Sequence, residues 1–129
     1  MKNKLLPIVF CIAYLPFIQV NANPSVENLL QKYQQQGAEK AIPEQGKNLW
    51  YSKNGDRSCT SCHGSSPSKT GKHIKTGKVI KPMAVSKNPE RFQDSKKVEK
   101  WFLRNCKWTF GRQCTLQEKT DTLSWLNSF

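Results

Sequence analysis

The chain has 129 residues, 21 of them Lys or Arg and 9 Asp or Glu, for a formal charge of +12 at pH 7 with both histidines neutral. That length predicts one folded domain and excludes a large second one. The one sustained apolar run, residues 5–20, is too short and too interrupted by Pro7 and Pro16 to predict stable membrane insertion.

Lys2 and Lys4 ahead of that run and Asn21-Ala22 after it have the pattern of a secretory leader cut after Ala22. Residues 1–22 are then the signal peptide, residues 23–129 a single domain, and the periplasm the expected location. Phe10 before Cys11 does not suit lipoprotein processing, so Cys11 is lost with the leader. Loss of Lys2 and Lys4 leaves 19 basic residues against 9 acidic ones, a charge of +10. Val26, Leu29, Leu30 and Tyr33 recur at i, i+3, i+4 and i+7 and predict an amphipathic helix over residues 24–36, ended by Gly37. Pro43 suits the first turn of a second helix through Leu49, Trp50 and Tyr51. Lys53-Asn54-Gly55-Asp56 then reads as a turn.

That turn delivers the chain to Cys59-Thr60-Ser61-Cys62-His63. Two thiols two residues apart, with a histidine directly after them, form the attachment pattern of a c-type haem. Cys59 and Cys62 can each make a thioether to the porphyrin, and His63 then lies where it can be the proximal iron ligand. One covalent haem c per chain also supplies apolar surface that so short a chain lacks. A zinc site could recruit Cys106, Cys114 and His73, but an exported location favours disulfides there. A thioredoxin-like dithiol needs flanking strand and helix patterns that the Ser-, Gly- and Lys-rich surroundings do not supply.

Residues 64–88 carry Pro67, Gly71, Gly77 and Pro82 without a sustained period, which predicts a long loop wrapping the haem. Lys69, Lys72, Lys75, Lys78 and Lys81 recur through it, either as a solvated loop or as a basic collar that steers an acidic redox partner. Nucleic acid is a poor match for this charge, because an exported haem protein seldom meets it. His73 is the only histidine besides His63, and a surface or haem-carboxylate role is plainer for it than iron ligation. Met83, the one methionine after the leader, offers a thioether as the sixth ligand of an ordinary electron carrier.

Asp94 is placed as an N-cap, and Val98, Trp101, Phe102 and Asn105 follow at i, i+3, i+4 and i+7. A carboxamide that continues an apolar stripe must find a partner or cost about 1–3 kcal/mol. Asn105 can bond to the backbone at a helix end, or it can point at the haem iron. Cys106 and Cys114 remain as a pair and most simply form a disulfide across Lys107 to Gln113. A loop this short contributes about 2.5 kcal/mol by restricting the unfolded chain, and it fixes the backbone beside Asn105. Thr115 and Glu118 form a capping box that opens a closing helix, with Leu116, Leu123 and Leu126 inward and Trp125 beside them.

Gly46 followed by Leu49 and Trp50 resembles the first helix of class I cytochromes c, where a glycine lets the last helix cross closely. An extended connection from this helix to the cysteines departs from that pattern. Arg104-Asn105-Cys106, Gly111-Arg112-Gln113-Cys114-Thr115, Glu118-Lys119, Thr76-Gly77-Lys78 and Asn88-Pro89-Glu90-Arg91-Phe92 together resemble the sphaeroides haem protein group, over most of residues 23–129. The resemblance implies an all-α class I cytochrome c fold, about four helices around one covalent haem. It further implies His63 as proximal ligand, the Cys106–Cys114 disulfide, and Asn105 as a distal ligand that leaves on reduction so that dioxygen or nitric oxide can bind. A dihaem cytochrome c is the electron donor it suggests. Met83 stays open as the alternative sixth ligand, and with it plain electron transfer. The residues favour a carrier or gas-binding protein over an enzyme, since turnover of dioxygen, nitric oxide or peroxide needs a distal acid or base and only His73 is free for it.

Overall fold

In the computed structural model, which describes residues 23–129, the start of each helix longer than a single turn is satisfied by a side chain close at hand, with one exception; the leader predicted over residues 1–22 lies outside the described residues. Helix α1, Pro24–Gln35, is opened by Asn23, whose side chain accepts from the Ser25 N–H, and buries Val26, Leu29 and Tyr33. Helix α2, Pro43–Tyr51, is the exception, because its N-cap is Ile42, whose side chain has no oxygen to offer. The missing acceptor comes from the far end of the chain, where the buried Asp121 carboxylate takes the Ile42 N–H at 2.7 Å. Placing an anion at a helix N-terminus is also favourable to the helix dipole.

The haem motif winds into a single-turn helix α3, Thr60–His63, so the described residues hold five α-helices rather than about four. Helix α4, Ser95–Phe110, starts at Asp94, whose carboxylate accepts from the Lys97 N–H at 3.1 Å. Helix α5, Leu116–Asn127, opens on the capping box, with both the Thr115 and the Glu118 side-chain bonds present. Between α3 and α4 the stretch expected to be irregular contains a small antiparallel pair, β1 Gly71–Lys72 and β2 Val79–Ile80, with Gly71 opposite Ile80 and Lys72 opposite Val79. A 3-10 turn, Val85–Lys87, follows. Strands of two residues leave no alternation to detect in the sequence. What closes the hairpin is its turn, in which the His73 N–H donates to Lys78 O and the Gly77 N–H donates to His73 O, both at 2.8 Å.

Two apolar clusters hold the helices together. Val26, Leu29, Tyr33, Val85, Val98 and Leu123 join α1, the 3-10 turn, α4 and α5. Trp50, Trp125 and Leu126 join α2 to α5, with Cys59, Met83 and Phe92 packed against them. Among the described residues no helix is long and apolar enough to cross a membrane.

Two glycines permit close approaches that other residues would block. A Cβ at Gly46 would collide with the backbone carbonyl of Asp121 and stand 2.6 Å from the Thr122 nitrogen, so α2 and α5 cross backbone to backbone here. A Cβ at Gly71 would strike Cys62 O and stand 2.7 Å from the His63 Cα, so β1 lies directly on α3. Each obstacle is main chain and cannot step aside. Gly46→Ala and Gly71→Ala are each expected to lower stability by about 1–3 kcal/mol, read as a fall in urea midpoint at constant slope. Gly46→Ala should also disturb the tryptophan fluorescence of the α2–α5 contact.

Candidate haem site

Helix α3 gathers the two unpaired thiols and His63 within one turn. Buried Ser58 shapes its approach: the Ser58 N–H donates to Ser61 Oγ at 3.0 Å, and its hydroxyl bonds to Thr60 Oγ1 at 2.6 Å. Burial, opposed by a backbone hydrogen bond and reinforced by Cys62, pushes the Cys59 thiol up to about 11. The His63 ring lies 5.2 Å from Trp50, which in turn stands 5.5 Å from Trp125. Burial, and secondarily the Arg91 guanidinium, bring the imidazole down to about 4. His63 is therefore neutral at pH 7, the protonation state in which an imidazole can ligate a metal.

Arg91 is a neighbour that the sequence did not single out on chemical grounds. Its Nε donates to Pro82 O at 3.2 Å and its Nη2 to Lys81 O at 2.5 Å. It takes part in none of the ion pairs among the described residues. The next residue, Phe92, has φ +71°, a conformation that side-chain-bearing residues rarely adopt, and its ring packs against both apolar clusters. An arginine in a polar stretch looks the same in sequence whether buried or solvated, so nothing local could have announced it.

The candidate sixth ligands are treated differently by the fold. Met83 is packed against Trp50, Trp125 and Leu126, the cluster that also bears the His63 ring, and its N–H donates to Pro67 O at 2.9 Å. Asn105 lies well inside α4 and is exposed, and its carboxamide makes no hydrogen bond to any described residue. The helix-end backbone bond that would have explained it is thus not made. Trp101, one turn earlier, is 51% exposed rather than buried as its phase predicts, with the Arg104 guanidinium 5.3 Å from its ring centroid. Cys106 and Cys114 are both buried, with Cα atoms 5.6 Å apart and sulfurs within bonding distance, so α4 is tied to the start of α5 directly beside Asn105. His73 is at the hairpin turn, where Nδ1 accepts from the Lys75 and Thr76 N–H groups at 3.3 and 3.2 Å.

These residues fit a covalently attached haem. The thiols two residues apart are unpaired, whereas the other two cysteines are engaged with each other. His63 Nδ1 is buried without a hydrogen-bond partner, the mark of an imidazole whose role is not filled by protein alone.

A family described as a domain of unknown function, DUF1924, matches residues 36–126. The chain is 42% identical over 107 residues to the cytochrome c-type protein SHP of Cereibacter sphaeroides, spanning 79% of this chain and 82% of that protein. The structure of oxidised SHP, an oxygen-binding cytochrome c, matches with a TM-score of 0.75 at 40% identity and covers 81% of this chain and 96% of that one. Oxidised cytochrome c'' of Methylophilus methylotrophus matches with a TM-score of 0.70 at 32% identity, covering 79% and 92% of the two chains. The solution structure of the same protein, which bears on haem-ligand detachment, matches with a TM-score of 0.64 at 29% identity over 81% and 93%. With more than two thirds of SHP covered at this identity, the chain belongs to the SHP family of c-type cytochromes, all-α in fold and carrying covalently bound haem c.

Proposed function

We propose that the single haem of this cytochrome is attached through Cys59 and Cys62 with its iron ligated by His63, and that Asn105 is a distal ligand which holds ferric iron and leaves on reduction, opening the site to dioxygen or nitric oxide. The bound haem supplies a one-electron iron couple. The observation that carries the reading is the contrast between the two candidate ligands. Met83 is engaged in the cluster around Trp50, on which the His63 ring also packs, whereas the Asn105 carboxamide is exposed and has no partner among the described residues. SHP is an oxygen-binding cytochrome c, and cytochrome c'' is a case of haem-ligand detachment, both of which support a labile distal ligand here.

The chain's own chemistry follows from ligand hardness. An amide oxygen is a hard, weak donor that suits ferric iron, while ferrous iron prefers softer partners or an open position. His63, kept neutral by burial and by Arg91, offers its lone pair in both oxidation states. The Cys106–Cys114 disulfide restrains α4 beside Asn105, so that the carboxamide can leave and return without the helix moving far. The periplasm, reached by way of the leader over residues 1–22, is the compartment that suits both thioether and disulfide. Lys69, Lys72, Lys75, Lys78 and Lys81 are all exposed on the excursion that follows α3, and they provide a basic face for an acidic redox partner, with a dihaem cytochrome c as the donor.

Optical spectra of the oxidised and dithionite-reduced holoprotein test the ligand. Asn105→Ala should turn the ferric protein high-spin, while Met83→Leu leaves it low-spin and without the far-red band of thioether ligation. The reduced wild type should bind carbon monoxide. Loss of the low-spin ferric form in Met83→Leu, with Asn105→Ala unchanged, would instead establish a methionine-ligated electron carrier. For the basic face, electron-transfer rates with an acidic partner should fall by about tenfold or more between ionic strengths of about 0.01 and 0.15 M. Charge-reversing Lys72 and Lys75 together should flatten that salt dependence.

A further inference from the structure

The extended connection between α2 and the haem motif makes a specific contact in the structure. Asn54 and Arg57 face each other across a tight turn, with Asn54 N–H to Arg57 O at 2.9 Å and Arg57 N–H to Asn54 O at 3.2 Å. The turn lies against the C-terminal end of α4. Asn54 Nδ2 donates to Thr109 O at 3.1 Å, Arg57 Nη1 donates to Trp108 O at 3.0 Å, and the guanidinium stands 5.1 Å from the Trp108 ring centroid.

The last four carbonyls of a helix have no partner within it. Here Lys107 O is taken by the Gly111 N–H, and Trp108 O and Thr109 O are taken by this turn. A guanidinium at that end is also favoured by the helix dipole. Two consequences of position follow. Thr109 is one helical turn beyond Asn105, and Arg57 is two residues before Cys59. The turn therefore fastens the end of the helix that carries Asn105 to the segment that leads into the haem thiols. The disulfide at Cys106 fastens the same stretch to α5.

We propose that Asn54 and Arg57 are positioning residues for the distal ligand: they hold the end of α4 at a set distance from the Cys59 attachment and so determine how firmly Asn105 occupies the iron. This rests on the reading of Asn105 as that ligand. With the fastening gone, the helix end gains freedom, Asn105 leaves ferric iron more readily, and an added ligand competes more easily with it.

Cyanide titration of the ferric holoprotein tests this. Asn54→Asp keeps the shape but removes the donor and sets a carboxylate against the Thr109 carbonyl. Arg57→Gln removes the charge. Each is expected to bind cyanide about tenfold more tightly than wild type, the scale of one lost hydrogen bond, charge-assisted in the case of Arg57. Arg57→Lys, which keeps the charge and one donor, should stay nearer wild type. Glu99→Gln serves as a control: it breaks the 2.8 Å Lys119–Glu99 pair between α4 and α5, away from the turn, and should change affinity by less than about twofold. In an Asn105→Ala background the effect of Asn54→Asp should vanish. Wild-type affinity in folded Asn54→Asp and Arg57→Gln overturns the proposal while leaving the ligand intact, as does a gain that persists undiminished without Asn105. Wild-type affinity and spectrum in Asn105→Ala alone overturn the ligand reading and the proposal together.

Discussion

The backbone contact between α2 and α5 at Gly46 is the constraint on which the site depends. It brings two main chains within a distance that no side chain tolerates, and the buried Asp121 completes it by capping the α2 N-terminus. Because that register is fixed, Trp50 at the far end of α2 meets Trp125, and the same indole then presents a face to His63. The histidine that the haem motif supplies is thus oriented by a crossing between residues more than seventy positions apart in the chain. Packed cores transmit displacement rather than absorb it, so a shift of α2 along α5 would be felt at the imidazole.

The other side of the site is held differently. On the His63 side the neighbours are aromatic rings in contact, whereas around Asn105 the helix face is exposed and the restraints act at its ends, through the disulfide and the Asn54–Arg57 turn. Beyond the disulfide, the Glu118 carboxylate accepts from the Thr115 N–H and from both terminal nitrogens of Arg112. The Arg112 guanidinium accordingly holds that carboxyl below its usual range. Cys114 is thereby anchored to a well-capped helix start, and the link from α5 to α4 does not end on a loose segment. A firmly packed His63 side and a tethered Asn105 side suit the proposed ligand set, in which one member stays and the other comes and goes.

How much of this was legible in the sequence varied with the range of the interaction responsible. Asp94 and the Thr115–Glu118 box act within three residues, so the helix starts they mark could be read directly. The CTSCH spacing and the Cys106–Cys114 pair were equally plain, because chemistry at that spacing has few alternatives. The α2 cap was not legible, since Asp121 supplies it from the other end of the chain. Nor was the hairpin, whose pairing is carried by main-chain bonds at its turn and not by any side-chain pattern. The phase of Trp101 and Asn105 correctly placed them on one face of α4, but phase alone says nothing of what that face meets, and both are exposed.

Pro67 O accepts the N–H groups of both Met83 and Ala84, which pins together the two ends of the excursion that carries the lysines. Gly71 holds its first arm against α3, so only the part beyond, from His73 to Lys78, is free of the core. Lengthening such a tip is thermodynamically cheap, since doubling a loop costs only about 0.6 kcal/mol in closure entropy. The hairpin tip can therefore change in length and charge while the turn that carries the CTSCH motif beneath it keeps its place, which separates the surface of this excursion from the framework it stands on.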